Sequence, residues 1–179
     1  EKLKMEYGDI AKDQIEFVTL PAEKILDKFK ENNFDLIVCW ASVHHFHDVD
    51  EAYRNISRAC KPGGKLVILD QFMPEPIREF WTRASTIHDP TTIRHYTYNE
   101  YMGLLAENKF AARCVFPFKH KDNLDNWLSS IGDDETRIAL RNQIVGLEVT
   151  KKNLLSIREV KGEWEFQYDA FVLLAVKED

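Results

Sequence analysis

No stretch of this sequence is apolar for long enough to cross a bilayer. The longest runs, Leu36 to Val43 and Ala170 to Val176, fall far short of the roughly 20 residues a membrane helix needs, so they read as buried strands and membrane insertion is not expected. Cysteine is also sparse. Cys39, Cys60 and Cys114 are odd in number, widely spaced and mostly set among apolar neighbours, which argues against a disulfide framework or a zinc site. Free thiols suit a reducing compartment, and the expected location is cytoplasmic. Positive charge is short as well: 24 Lys and Arg stand against 30 Asp and Glu, a formal net charge of −6. A nucleic-acid partner leaves a basic face or stripe, and none is expected here. The first residues, Glu1-Lys2-Leu3-Lys4-Met5, lack the apolar segment of a secretory signal and read as the interior of a longer chain.

What is present is an ordinary globular composition, 44% hydrophobic and 30% charged over 179 residues, enough for one domain that buries roughly 70% of its unfolded surface. Ile15 to Thr19 has strand character. Ala22, Ile25, Leu26 and Phe29 then fall at helical spacing, with Asn32-Asn33 as the stop. Phe34 to Trp40 is a nearly continuous apolar run, suited to a parallel strand covered on both faces. Asp48-Val49-Asp50-Glu51 reads as a capping box opening a helix with Ala52, Tyr53, Ile56 and Ala59 on one stripe. Lys61-Pro62-Gly63-Gly64 is expected to stop that helix and turn the chain before the strand Leu66 to Leu69. Strands alternating with helices across short connections point to a parallel sheet with helices on both faces.

Beyond Gln71 the rhythm loosens. A helix is expected through Phe80 and Trp81, and a second, capped by Thr97 with Glu100, carries Tyr101, Leu104 and Leu105. A strand follows from Arg113 to Phe118. Helical patterns then run over Leu124 to Ile131 and over Ile138 to Val145, and the sequence closes on a hairpin turning at Lys161-Gly162-Glu163.

Two segments carry the chemistry: Phe34 to Phe46, which ends in His44-His45-Phe46, and Cys60 to Asp70, which contains Lys-Pro-Gly-Gly. A strand entering with Phe-Asp, a His-His pair beyond its end, a capped helix, this turn and another strand together resemble the central part of class I S-adenosylmethionine-dependent methyltransferases. Asp89-Pro90-Thr91-Thr92-Ile93-Arg94, the Trp-bearing segment Asn123 to Ile131 and the final hairpin are similar to the subgroup related to the ubiquinone and menaquinone biosynthesis C-methyltransferases. The resemblance implies a Rossmann-like, doubly wound α/β fold, its sheet mostly parallel, with a reversed last strand inserted beside the fifth. It implies one domain over residues 1–179, with lid-like helical segments around 72–100 and 121–150. The cofactor implied is S-adenosyl-L-methionine, and the partner a small-molecule substrate.

One departure accompanies the match. The family begins with a strand ending in G-x-G-x-G, then a helix and a second strand ending in an acid that holds the ribose; here Gly8 stands alone and no such strand precedes it. The expectation is therefore a fold lacking its first two strands, with a sheet edge left open to pairing with another chain and a homodimer as one outcome.

By the resemblance, Ala22 and Glu23 lie where the family contacts adenine. Cys39, Trp40 and Ala41 lie at a strand's carboxyl end, where open α/β sheets hold ligands. Displacement at a sulfonium methyl is mainly alignment, with a base needed only when the acceptor must lose a proton; His44, His45 and Asp70 are the candidates. The His pair reads equally as loop residues, one of them buried. Trp81, with Phe80, Tyr96 and Trp127, either lines a substrate pocket or is plain core. Arg94 and His95 either reach the substrate or pair with Asp89. His44, His45 and His47 lack the partners of a usual metal site, so no metal is expected. Two rivals remain at this point, a nucleotide-binding oxidoreductase and a non-catalytic remnant that uses the sheet for interaction.

Overall fold

The computed structural model describes residues 15–179. A single 3-10 turn, Ala22–Lys24, runs into the short helix α1, Ile25–Lys28. Asn32, in the left-handed region with φ of 53°, then turns the chain into strand β1, Phe34–Trp40. A second 3-10 turn, Val43–His45, leads to helix α2, Val49–Ala59, and strand β2, Cys60–Phe72. Helices α3, Glu75–His88, and α4, Tyr98–Glu107, precede strand β3, Phe110–Asn123. Three shorter helices follow, α5 over Leu124–Leu128, α6 over Asp134–Val145 and α7 over Val149–Leu154. The hairpin of β4, Arg158–Val160, and β5, Glu163–Lys177, closes the fold.

The strands form one sheet in the order β1-β2-β5-β3, with β4 beside the start of β5. β1 and β2 are parallel, with Ile37 opposite Leu66 and Trp40 opposite Leu69. β5 runs against both β2 and β3. The last strand is thus inserted in reverse between two that share a direction, which is the class I methyltransferase arrangement. Its hairpin turns on Lys161 and Gly162, with φ of 54° and 87°, the paired left-handed residues that match the twist of antiparallel strands.

Three expectations change. Ile15 to Thr19 forms no strand. Ile15, Phe17 and Val18 are exposed, and among the described residues no neighbouring strand offers them a ladder of hydrogen bonds. β1 is covered on one face only: Cys39 is buried, whereas Leu36, Val38 and Trp40, which alternate onto the other face, are 52–70% exposed. Among the described residues β1 is an edge strand, and its apolar run overstates its burial. Lys61-Pro62-Gly63-Gly64 does not precede β2 but interrupts it, since Phe34 pairs with Cys60 and Leu36 already with Lys65. The extra residues bulge out, with Gly63 at φ of 72°. A Cβ on Gly64 would lie 2.7 Å from Cys60 Sγ and 2.8 Å from the Lys61 carbonyl oxygen.

The caps show how side chains fix the helix entries. Thr97 and Glu100 form the full reciprocal box. At α2 only half of the box exists: Asp48 accepts from the Glu51 N–H at 2.9 Å, while the Asp48 N–H is taken by Glu23. The far end of α2 is held by Lys177, whose Nζ donates to the carbonyls of Ser57 and Cys60 at 2.7 and 2.8 Å. Two apolar cores result. One joins α2 and α4 to the sheet through Tyr53, Leu66, Tyr101 and Phe171. The other joins α3, α5 and α6 to β5 through Trp81, Leu128, Ile144 and Phe166. Among the described residues no helix is long and apolar enough to cross a membrane.

Candidate active site

The carboxyl ends of β1 and β2 lie side by side, and the chain leaves β1 abruptly. Ala41 has φ of 44°, a costly conformation for a residue with a Cβ, and its N–H donates to the Leu69 carbonyl at 2.7 Å. This turn lifts the next residues over the tip of β2 and delivers His44 to Asp70. Both are buried, and His44 Nδ1 lies 2.8 Å from Asp70 Oδ1. Asp70 also accepts the N–H groups of Val43 and Gln71, each at 2.9 Å. A carboxylate so surrounded by donors takes a hydrogen from His44 Nδ1, which leaves Nε2 as the ring's acceptor. The His44 carbonyl in turn accepts from Ile93 and Arg94 at 2.9 and 3.2 Å, so the segment after α3 is fastened to the same loop.

Two cavities meet at His44. The first, about 380 Å³, is lined by Trp40, Ala41, Leu69, Asp70, Gln71 and Phe118 among others. The second, about 290 Å³, is lined by Trp81, Ser85, His88, Thr92 and Trp127. Ala41, His44, Gln71 and Tyr168 belong to both. Helices α3 and α5 form the second cavity's apolar wall, with Trp81 and Trp127 stacked at 5.3 Å and His88 on Trp127 at 4.2 Å. Burial lowers the pKa of His88, with Asp89 opposing the effect.

The expected site residues fall into groups. Trp40, Ala41, His44 and Asp70 come together in the first cavity, and Trp81 lines the second. His45 packs tilted against His44 at 4.1 Å and meets Thr91 Oγ1 through Nδ1 at 3.1 Å. His95 also packs on His44, at 5.5 Å, and burial pushes its pKa down to about 3. The Cys39 side chain stays in the core, its thiol pushed up to about 12 by burial and then by Asp70, so it is no nucleophile. Glu23 accepts from the His47 and Asp48 N–H groups at 2.7 and 3.1 Å, and Ala22 is on the same 3-10 turn; neither borders these cavities. Arg94 turns away. It pairs with Glu100, not Asp89, lies over the Tyr96 ring at 5.0 Å and borders a separate pocket, because the capping box of α4 holds a carboxylate within its reach. Gln71, Ser85, His88, His120 and Tyr168 also line the cavities; single polar residues on strands and helices carry no sequence pattern until the fold gathers them.

Residues 2–68 match a family described as "Methyltransferase domain". The chain is similar to the class I methyltransferases in sequence and in fold. It is 37% identical over 145 residues to the ubiquinone/menaquinone biosynthesis C-methyltransferase UbiE of Pseudomonas putida, covering 78% of this chain and 52% of that one. To an uncharacterised methyltransferase of Bacillus subtilis, YcgJ, it is 27% identical over 111 residues, covering 61% of this chain and 44% of that one. The crystal structure of YcgJ superposes with a TM-score of 0.85 at 21% identity, over 95% of this chain and 76% of that one. A putative methyltransferase from Bacillus halodurans gives 0.85 at 20% identity, over 93% and 79%. The chain spans about half the length of the curated relatives it matches. The family's cofactor is S-adenosyl-L-methionine, and neither rival reading finds support among these relatives.

Proposed function

We propose that the paired cavities bind a methyl donor and a small-molecule acceptor on either side of His44, and that the whole protein transfers a methyl group between them. The observation that carries this reading is the junction itself. One buried imidazole, oriented by one buried carboxylate, borders both spaces.

The residues present fit part of S-adenosyl-L-methionine. Trp40, Leu69 and Phe118 give an apolar surface at the strand tips, and Asp70, Gln71 and His44 give the polar inner wall. Bound there, the cofactor supplies an electrophilic methyl group on a sulfonium. This chain's residues align and exclude water: α3 and α5 close one side with Trp81 and Trp127, and the carboxyl ends of β1 and β2 hold the other. Alignment of this kind supplies most of the rate in a direct displacement. Where the acceptor must shed a proton, His44 Nε2 receives it, while Asp70 on Nδ1 stabilises the charged ring.

The acceptor is read as a small molecule from the cavity's size and its aromatic wall. The names of relatives such as UbiE support a quinone precursor or another small aromatic. The test is transfer of tritiated methyl from S-adenosyl-L-methionine to a panel of phenols, amines and enolisable ketones. Transfer that falls at least about 100-fold in His44→Ala supports the base assignment. Full turnover in that variant removes it.

A further inference from the structure

Ser85 and His95 form a buried pair that the proposed chemistry leaves unused. His95 Nε2 lies 2.8 Å from Ser85 Oγ, and the His95 N–H donates to Thr82 Oγ1 at 3.1 Å. Its Nδ1 is buried without a partner among the described residues. The residue is 1% exposed, and burial keeps the ring neutral, so it carries one hydrogen.

Two tautomers are possible. With the hydrogen on Nδ1, a buried N–H has no acceptor, which native structures rarely tolerate. With it on Nε2, the N–H donates to Ser85 Oγ and only a lone pair on Nδ1 goes unused. The second arrangement is the stable one. It occupies an acceptor position of Ser85 and leaves the hydroxyl hydrogen free. The next residue, Thr86, returns its hydroxyl to the Thr82 carbonyl one turn back at 2.9 Å; Ser85 makes no such bond among the described residues. Ser85 borders the cavity that also contains His44.

We infer that Ser85 is a specificity-determining residue, whose hydroxyl is held from behind by His95 so that it points a hydrogen-bond donor into the acceptor cavity. His44 Nε2 presents an acceptor to the same space. The cavity thus selects molecules that bear a donating hydroxyl or enol toward His44 and a second oxygen, a carbonyl or oxyanion, toward Ser85. The inference rests on reading this cavity as the acceptor site.

Two small probes separate these requirements. 3-Hydroxyacetophenone carries a hydroxyl and a carbonyl too far apart to bond each other, whereas 3-ethylphenol has a similar shape without the carbonyl. Titrated into the chain and followed by NMR, the ketone is expected to bind roughly fivefold tighter, the worth of one neutral hydrogen bond. Ser85→Ala should abolish the preference and Ser85→Thr should retain it. Long-range nitrogen spectra of histidine-labelled wild-type chain should show His95 protonated at Nε2 and bare at Nδ1, and this arm needs no variant to fold. Equal affinity for the two probes in the wild type, a preference surviving in Ser85→Ala, or a bare Nε2 on His95 would each overturn the assignment. A chain that discriminates between the probes yet fails to bind S-adenosylhomocysteine refutes methyl transfer and leaves Ser85 as a donor. One that binds S-adenosylhomocysteine and ignores the carbonyl refutes the Ser85 assignment alone.

Discussion

Replacing Asp70 by Asn keeps the side chain's shape and removes one acceptor and the charge. Oδ1 now accepts from His44 Nδ1 and the Gln71 N–H, and Oδ2 accepts from the Val43 N–H. An amide has one oxygen to offer. With that oxygen on the His44 side, the new NH2 group meets the Val43 N–H; with it on the other side, both His44 and Gln71 lose their acceptor. The less costly orientation leaves one buried backbone donor unmet, about 1–3 kcal/mol, and turns charge-assisted bonds into neutral ones of roughly half the strength. We expect a total loss of about 2–4 kcal/mol in urea unfolding at neutral pH, or a fall in Tm of the order of 10 °C. The His44 ring nitrogens should move in the same variant. A loss below about 0.5 kcal/mol, within the range of an ordinary surface substitution, together with unchanged His44 signals, would refute the placement of this carboxylate.

Three further outcomes are expected. His95 has a folded pKa lowered to about 3 by burial against roughly 6.5 unfolded, so the unfolded chain binds the extra proton first. Stability should then fall by about 1.4 kcal/mol per pH unit as pH drops below 6.5 toward 3, and His95→Gln should flatten that part of a pH series of urea melts. Lys177→Met removes the ammonium that holds the Ser57 and Cys60 carbonyls, and should cost about 1–3 kcal/mol, with faster amide exchange in the last turn of α2. Gly64→Ala places a Cβ against the Lys61 carbonyl oxygen at 2.8 Å and should cost about 1–3 kcal/mol, measured by thermal unfolding; a neutral Ala variant would mean the bulge in β2 is not built as described.

Much of this fold was legible in the order of its signals. Phe34 to Trp40 and Leu66 to Leu69 read as neighbouring parallel strands and are paired, because strand, capped helix and strand in close succession have few other ways to pack. The Thr97 and Glu100 box and the Lys161-Gly162 turn each carry a local geometry that needs no tertiary context. Local pattern failed where a neighbour decides the outcome. Among the described residues Ile15 to Thr19 has strand composition but no partner, and β1 reads as doubly covered although one of its faces is exposed. The same limit applies to the site. His44 and Asp70 stood out from their positions after strands, but no spacing rule joins residues 26 apart into a 2.8 Å contact. Arg94 looked available until Glu100, already fixed by a cap, claimed it. Ser85 was invisible because its meaning lies in the ring behind it.

The cavity at the tips of β1 and β2 is the proposed site of the methyl donor. The direct measurement is a titration of this chain with S-adenosylhomocysteine, followed at once by the indole signal of Trp40 and the ring signals of His44 and His120, which border that cavity. Saturable shifts of all three with one common midpoint, lost in Trp40→Ala, are predicted. Shifts confined to residues elsewhere, or no saturation at millimolar ligand, would contradict it.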